Sequence, residues 1–180
     1  MPFVGNPAPD FEMKSTKNLN NLDEPVKLSD YRGKWLVFFF YPADFTFVCP
    51  TEIQALNERL QEFHDLDCEV LGCSTDSVHS HRAWINTPKD KDGLGSINYP
   101  LAADFTKEVA RKYDVLVEES GQALRGLFII DPEGILRYQV VHDMDIGRSV
   151  DETLRVLEAL QAGGLCPANW KRGGQLLTAH

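Results

Sequence analysis

The chain has 180 residues, of which 43% are hydrophobic and 25% are charged, and its formal net charge is −9. This length and composition are typical of one globular domain that buries a sizeable core without help from a disulfide or a metal. The negative charge argues against general binding to nucleic acid or to anionic membrane surfaces, both of which attract positive charge.

No apolar run approaches the ~20 residues that a membrane-spanning helix needs. The first residues lack the basic and apolar regions of a secretory signal, so we expect a cytoplasmic protein whose thiols are kept reduced. Its four cysteines are Cys49, Cys68, Cys73 and Cys166. In a reducing compartment they are expected to be catalytic, redox-sensing or inert, and not to form a structural disulfide framework.

Strands and helices alternate along the first part of the chain. The apolar, aromatic run 35–41 is typical of a strand that is buried on both faces. Residues 49–63 carry apolar side chains every three or four positions, which predicts an amphipathic helix. Residues 68–75 predict a second buried strand, whereas 80–85 and 106–113 predict two further helices.

The second part of the chain predicts a hairpin and a closing helix. Residues 126–131 and 135–143 read as two strands joined by a tight turn, hence as an antiparallel pair. Residues 149–162 predict a helix with Ser149 as its N-cap and Glu152 three residues later, as in a capping box. These elements together predict an α/β fold with a central mixed sheet flanked by helices.

The domain organisation is predicted from where glycine and proline interrupt the chain. We expect residues 1–162 to form the α/β domain. Residues 163–180 are interrupted by glycine and proline, and we expect them to form a mobile C-terminal tail.

Cys49 lies where a loop leads into the predicted helix, directly before Pro50. Proline is favoured in the first helical position, which places the positive end of the helix dipole and its free N–H groups near the sulfur. This setting favours the thiolate, the nucleophilic form of cysteine. The dipole contributes about 1 kcal/mol or less, so a nearby cation is also needed. Arg125, at the entrance of a predicted strand, is the first candidate, and Arg148 is the second.

Several further side chains are candidates for the same site. The Thr46 hydroxyl can bond both the sulfur and a substrate oxygen. Pro42 brings no N–H group and can keep water away. Cys166, in a flexible and exposed tail, suits the thiol partner of an oxidised cysteine, although an incidental cysteine is the alternative. Cys68 and Cys73, within an apolar strand pattern, are expected to be inert core side chains.

Metal and cofactor sites are not predicted. His79 and His81 are two residues apart, which is not the spacing of helical zinc ligands. No glycine-rich phosphate-binding loop connects a predicted strand to a helix, so we expect no bound nucleotide or flavin.

The motifs around two of the cysteines resemble those of a known family. Residues 41–52, YPADFTFVCPTE, combine Pro42, Thr46 and Cys49 in a pattern that resembles the signature of the peroxiredoxins. The tail motif LCPANW resembles the resolving-cysteine motif of the typical two-cysteine class, which includes the peroxidase component of bacterial alkyl hydroperoxide reductase. STDSVHSHRAW, YPLAAD, LRGLFIIDPEG and GRSVDETLR resemble further family segments, so the resemblance spans residues 3–172. It implies a thioredoxin-like fold.

The resemblance implies an enzyme, a thiol-dependent peroxidase that reduces hydrogen peroxide and alkyl hydroperoxides without a cofactor. Cys49 would be the peroxidatic cysteine, whose thiolate becomes a sulfenic acid. Thr46 and Arg125 would bind the peroxide oxygens, and Pro42 would shield the sulfenic acid. Glu52 would hold the arginine in place.

The resemblance also implies partners. Cys166 matches the resolving cysteine, expected from the other subunit of a homodimer, where it would form an intersubunit disulfide with Cys49. We expect residues 46–54 to unwind for this step. Thioredoxin or a dedicated flavoprotein disulfide reductase would then restore both thiols. Dimers of this class commonly assemble as a pentamer of dimers, a homodecamer.

Two features depart from the peroxiredoxins that over-oxidise easily. Asp92 stands where those proteins carry the first glycine of a Gly-Gly-Leu-Gly loop, and the sequence QLLTAH has no Tyr-Phe pair. We therefore expect resistance to over-oxidation. A redox-switched holdase chaperone ring is the alternative function. A Cys-x-x-Cys oxidoreductase fits less well, because Glu52 lies three residues after Cys49.

Overall fold

The computed structural model describes residue 2 and residues 4–179. The chain divides into two compact units, residues 1–148 and residues 149–180. No helix within the described residues has the length and apolar character needed to cross a membrane.

The strands of the first unit are β1 (Glu12–Ser15), β2 (Pro25–Lys27), β3 (Trp35–Phe40), β4 (Cys68–Ser74), β5 (Leu101–Ala103), β6 (Leu116–Val117), β7 (Gln122–Ala123), β8 (Arg125–Ile130) and β9 (Leu136–His142). Its helices are α1 (Cys49–Glu58), α2 (Leu60–Asp65), α3 (Val78–Asn86) and α4 (Glu108–Lys112). The helix of the second unit is α5 (Val150–Ala162).

Seven strands form one mixed sheet in the order β2-β1-β5-β4-β3-β8-β9. The pairs β3–β4 and β4–β5 are parallel, whereas β3–β8 and β8–β9 are antiparallel. The predicted α/β class with a mixed central sheet is therefore confirmed, as is the antiparallel pair near the end of the first unit.

The central strand β3 is buried on both faces, as predicted. Residues 36–41 have no exposed surface. On one face the ring of Phe38 lies 5.1 Å from that of Tyr113, which follows α4. On the other face the ring of Tyr41 lies 5.9 Å from that of Trp84 in α3. Helices therefore cover both faces of the strand that leads into the site.

The single helix predicted over residues 49–63 is wrong, because the chain forms two helices. The backbone of Arg59 leaves the helical region, with φ −109° and ψ 15°, and separates α1 from α2. The break leaves α2 packed against β4. The predicted apolar face is nevertheless buried, at Ile53, Leu56, Leu60 and Phe63.

The predicted helix over residues 106–113 is shorter in the structure. Lys107 has a left-handed backbone, with φ 66°, and so cannot belong to the helix. The carboxylate of Asp104 caps α4 by accepting hydrogen bonds from the N–H groups of Val109 and Ala110, at 3.1 and 2.7 Å.

In the second unit, α5 confirms the predicted closing helix. The Ser149 hydroxyl accepts a hydrogen bond from the N–H of Glu152 at 3.1 Å, as an N-cap does. Gly163 ends the helix with φ 70°, a conformation that glycine adopts readily.

Candidate active site

Three segments of the first unit meet where β3 ends. The strand leads through the loop 41–48 into α1, whose first residue is Cys49. Because β8 runs antiparallel to β3, it begins at this same edge, with Arg125. Arg125 pairs with His142 at the end of β9, so the connection 143–148 also starts at this edge. The topology thus gathers residues that are far apart in sequence.

Cys49 is fully buried at the first position of α1. Pro50 occupies the second position and not the first. The N–H groups of Thr51 and Glu52 donate to the carbonyl of Val48, at 3.1 and 3.4 Å. The predicted N–H contacts with the sulfur are thus replaced by bonds within the turn, because Val48 already has a helical backbone.

A cation does contact the sulfur. Nη1 of Arg125 lies 3.3 Å from Sγ of Cys49 and donates to Oε1 of Glu52 at 2.6 Å. Nε of the same guanidinium donates to the carbonyl of Met144 at 2.5 Å. Since Arg125 is only 3% exposed, water screens its charge poorly at the sulfur.

Glu52 lies between two guanidinium groups. Nε and Nη2 of Arg148 donate to its two carboxylate oxygens, at 2.7 and 3.0 Å. Nη1 of Arg148 donates to the carbonyls of Phe40 and Gly126, which joins α1 to two strands. Burial raises the pKa of the Glu52 carboxyl, but the hydrogen bonds and charge of Arg148, with the charge of Arg125, outweigh it and hold the pKa below its ordinary value.

The loop before Cys49 holds the other two predicted residues. Pro42 is buried and Thr46 is half-buried. The Thr46 hydroxyl donates to the carbonyl of Ala43 at 2.8 Å. Its proton is therefore engaged within the loop, while the lone pairs of its oxygen can still accept a hydrogen bond.

The sequence analysis missed a buried polar cluster beside this loop. The carboxylate of Asp44 accepts hydrogen bonds from Nδ1 of His81 at 2.7 Å, from the Ser80 hydroxyl at 2.8 Å and from the Tyr41 hydroxyl at 2.7 Å. The N–H of Asp44 donates to Asp76 at 2.9 Å. The sequence signal for this cluster was Asp44 itself, a charged residue inside the motif, between Pro42 and Thr46, to which the predicted chemistry gives no role.

Asp44, Asp76 and His81 bring three potential metal-ligand atoms within 4.8 Å of one another. However, Nε2 of His81 lies 2.9 Å from the carbonyl of Ala102, which only accepts, so this nitrogen carries a proton. Nδ1 faces the Asp44 carboxylate, which also accepts. The imidazole is therefore engaged at both nitrogens, and the cluster fits a hydrogen-bonded ion pair better than a metal site.

A surface groove of about 540 Å³ adjoins the loop. Its lining comes from the loop, from α1 and from the segment before β5: Phe45, Thr46, Phe47, Pro50, Thr51, Gln54, Lys89, Asp92, Gly93 and Leu94. Phe47 is 93% exposed, which is unusual for a phenylalanine and gives the groove an apolar rim.

The other cysteines lie in different surroundings. Cys68 and Cys73 are buried in β4, as predicted, and burial raises the pKa of both thiols. Cys166, in the second unit, is half-buried and not exposed as expected. Its Sγ lies 3.6 Å from the carbonyl of Ala159, and Nε1 of Trp170 donates to the carbonyl of Gly174 at 3.1 Å.

Comparison with known proteins places the chain in a family. The AhpC/TSA family matches residues 4–139. A relative from the rubredoxin operon of Clostridium pasteurianum is 59% identical over 171 residues, which cover 95% of this chain and 96% of the relative. The mitochondrial thioredoxin-dependent peroxide reductase of Drosophila melanogaster is 54% identical over 171 residues, which cover 93% of this chain and 72% of that protein.

The solved structures agree with the sequence relatives. The crystal structure of the reduced 2-Cys peroxiredoxin of Plasmodium vivax matches with a TM-score of 0.93 at 41% identity, over 98% of this chain and 93% of that chain. The predicted thioredoxin-like fold is therefore confirmed. The chain belongs to the AhpC/TSA family and is a typical two-cysteine peroxiredoxin, an enzyme that reduces peroxides with a thiol.

Proposed function

We propose that Cys49 is the peroxidatic cysteine and that its thiolate attacks one oxygen of the peroxide. The O–O bond breaks, the sulfur becomes a sulfenic acid, and the other oxygen takes a proton and leaves as water or an alcohol. One observation carries the proposal: the Cys49 sulfur lies 3.3 Å from the guanidinium of Arg125. Burial raises the pKa of the Cys68 and Cys73 thiols and so disfavours their thiolates.

The surrounding residues then have distinct roles. Arg125 stabilises negative charge on the sulfur and on the departing oxygen. Glu52 orients Arg125, and Arg148 anchors Glu52. The Thr46 hydroxyl oxygen accepts a hydrogen bond from the peroxide, and the buried Pro42 covers the sulfenic acid.

Cys166 is the resolving cysteine in this proposal, carried by the tail 163–180 of the other subunit of a homodimer. Its thiol attacks the sulfenic sulfur, which forms an intersubunit disulfide with Cys49 and releases water. Because the Cys49 sulfur is fully buried, a second chain cannot reach it without local opening. Unwinding of residues 46–54 breaks a few hydrogen bonds of about 1 kcal/mol each, which a covalent bond readily offsets.

An external dithiol completes the cycle. Thioredoxin is favoured as the donor by the thioredoxin-dependent relative at 54% identity, with a flavoprotein disulfide reductase as the other candidate. Four unpaired thiols are suited to a reducing compartment, so we assign the cycle to the cytoplasm. The assembly we propose is a pentamer of dimers.

Hydrogen peroxide and alkyl hydroperoxides are the proposed substrates. The apolar groove next to the loop supports the second class, since Thr46, three residues before Cys49, and Pro50, directly after it, contribute to its lining. An organic substituent can rest there while the hydroperoxide group reaches the sulfur.

A gel and a turnover assay test this proposal. The reduced protein receives one equivalent of hydrogen peroxide and is run on a non-reducing denaturing gel. We expect a disulfide-linked dimer that is absent from both Cys49→Ser and Cys166→Ser. Cys68→Ser is the matched control and should form the dimer normally. Retained peroxide turnover in Cys49→Ser would contradict the proposal.

A further inference from the structure

The buried polar cluster around Asp44 takes no part in the chemistry described above. We propose that His81 is a positioning residue for peroxide reduction, which acts by holding Asp44 and thereby fixing the turn that presents the Thr46 hydroxyl to the peroxide. The inference rests on the proposed role of Cys49. It adds a residue that supports the site from a different helix, α3, and that lies 32 residues after Cys49 in the sequence.

Asp44 is held by hydrogen bonds to both its side chain and its main chain. Its carboxylate accepts hydrogen bonds from Tyr41, Ser80 and His81, the last two of which belong to α3. Its N–H donates to Asp76 in the connection between β4 and α3. Asp44 is 8% exposed and His81 is fully buried, so water does not compete for these bonds. The middle of the loop is thus tied to a helix that carries none of the residues assigned to the chemistry.

The turn that follows Asp44 needs such an anchor. Phe45 has φ 57°, a left-handed conformation that bulky residues rarely adopt. Conformations of this kind persist only where the surroundings hold them. Thr46 closes the turn by donating to the carbonyl of Ala43, and the Phe45 ring lies 6.0 Å from that of Trp84 in α3. The position of the Thr46 hydroxyl therefore depends on α3 through Asp44.

The charge of His81 matters to this anchor. Both ring nitrogens face acceptors, the Asp44 carboxylate and the Ala102 carbonyl, so the imidazolium is the form that fits. Burial lowers the pKa of His81, but the hydrogen bond and charge of Asp44, with the Ala102 carbonyl and Asp76, raise it above its ordinary value. Among the described residues, Tyr41 also faces the ring, with its hydroxyl 3.3 Å from Nδ1. A neutral ring carries one proton for these two acceptors, so deprotonation would leave one of the two hydrogen bonds unmade and weaken the hold of the ring on the loop.

The test compares His81→Gln with His79→Gln, a matched control on the same helix whose side chain is exposed. Two second-order rate constants are measured at pH 7 on the reduced proteins: oxidation of Cys49 by hydrogen peroxide and its alkylation by iodoacetamide. We expect His81→Gln to slow oxidation at least about tenfold, since small misplacements in a site have large effects on rate. Alkylation should change less than about twofold, because it needs the thiolate but not the turn.

The pH profile separates positioning from simple stability. The ratio of the oxidation rate to the alkylation rate cancels the ionisation of the sulfur, since both reactions use the thiolate. In the wild type and in His79→Gln this ratio should fall on the alkaline side, as His81 loses its proton. In His81→Gln the ratio should be low and independent of pH.

Ser80→Ala replaces His81→Gln if circular dichroism shows that the latter is unfolded. It removes one of the three side-chain bonds to Asp44, and we expect oxidation to slow by about two- to fivefold with alkylation unchanged. Light scattering reports the assembly state of each variant. A rate ratio equal to that of His79→Gln would overturn the proposal, as would an equal loss of both rates, or a loss that disappears at matched assembly.

Failure of this inference differs from failure of the proposed function. If Cys49→Ser is inactive while His81→Gln behaves like its control, only the positioning role is lost. If Cys49→Ser retains turnover, the role of Cys49 itself is wrong.

Discussion

Nη1 of Arg125 lies 3.3 Å from Sγ of Cys49, on a guanidinium that also donates to a buried carboxylate and to a main-chain carbonyl. The arginine is therefore held in one orientation by its own hydrogen bonds. A cation fixed in this way can stabilise negative charge beside the buried sulfur without rearranging when a substrate arrives.

Arg125→Lys should separate charge from geometry. Two unit charges about 4 Å apart interact by about 4 kcal/mol at an effective dielectric of 20, and a lysine keeps this charge. However, its ammonium group cannot reproduce the three contacts that the planar guanidinium of Arg125 makes. We expect alkylation of Cys49 at pH 7 to slow by about tenfold and peroxide oxidation by about 100-fold. The control is Arg137→Lys, whose partly exposed side chain pairs with Asp131 elsewhere. Unchanged oxidation in Arg125→Lys would contradict the role of the guanidinium.

Glu52→Gln should destabilise the protein at neutral pH. The substitution leaves two buried guanidinium groups without their carboxylate, and breaking a buried ion pair in this way costs about 3–5 kcal/mol. Urea denaturation at pH 7 measures the free energy of unfolding. Glu118→Gln, which removes an exposed pair with Arg111, is the control and should leave the midpoint unchanged.

The destabilisation caused by Glu52→Gln should depend on pH, because the pKa of Glu52 is lowered in the folded protein. A carboxyl whose pKa is lower in the folded protein stabilises it above its ordinary pKa of 4.5, and this stabilisation is lost as the pH falls through the folded value. The difference in free energy of unfolding between wild type and Glu52→Gln should therefore be largest at pH 7 and decrease below about pH 4.5. A gap that stays constant down to pH 3 would mean that the carboxylate is not held by the arginines.

Tyr99→Phe should speed the opening of α1. The buried Tyr99 hydroxyl donates to the carbonyl of Ile53 at 2.8 Å, and losing this bond costs about 1 kcal/mol. If the first turn of α1 must unwind, formation of the disulfide with Cys166 should accelerate by up to about fivefold. Quenched-flow sampling on non-reducing gels measures it. Tyr113→Phe removes a similar bond, to the carbonyl of Pro9, and should leave the rate unchanged.

Over-oxidation should be rare in the wild type. With reductant cycling in millimolar peroxide, we expect mass spectrometry to find little sulfinic acid on Cys49, because resolution competes with a second oxidation. Cys166→Ser removes the proposed resolving thiol and should accumulate sulfinic acid under the same treatment. Abundant wild-type sulfinic acid at low peroxide would refute the expected resistance.

The local parts of the fold could be predicted because their signals are local. An unbroken apolar run identified β3, periodic apolar side chains identified the buried face of residues 49–63, and Ser149 marked the start of α5. The break at Arg59 carried no such signal, since both halves keep the same apolar spacing and only their packing differs.

The sequence by itself determined the family, the helix start at Cys49 and the cysteines that belong to the core, because each is encoded by neighbouring residues. The tertiary structure alone decided that Arg125 contacts the sulfur while Arg148 binds Glu52, and that His81 meets Asp44. Cys49 and Arg125 are 76 residues apart, and Asp44 and His81 are 37 apart. Their contacts depend on strand register and on helix packing across the sheet, and no short stretch of sequence specifies either.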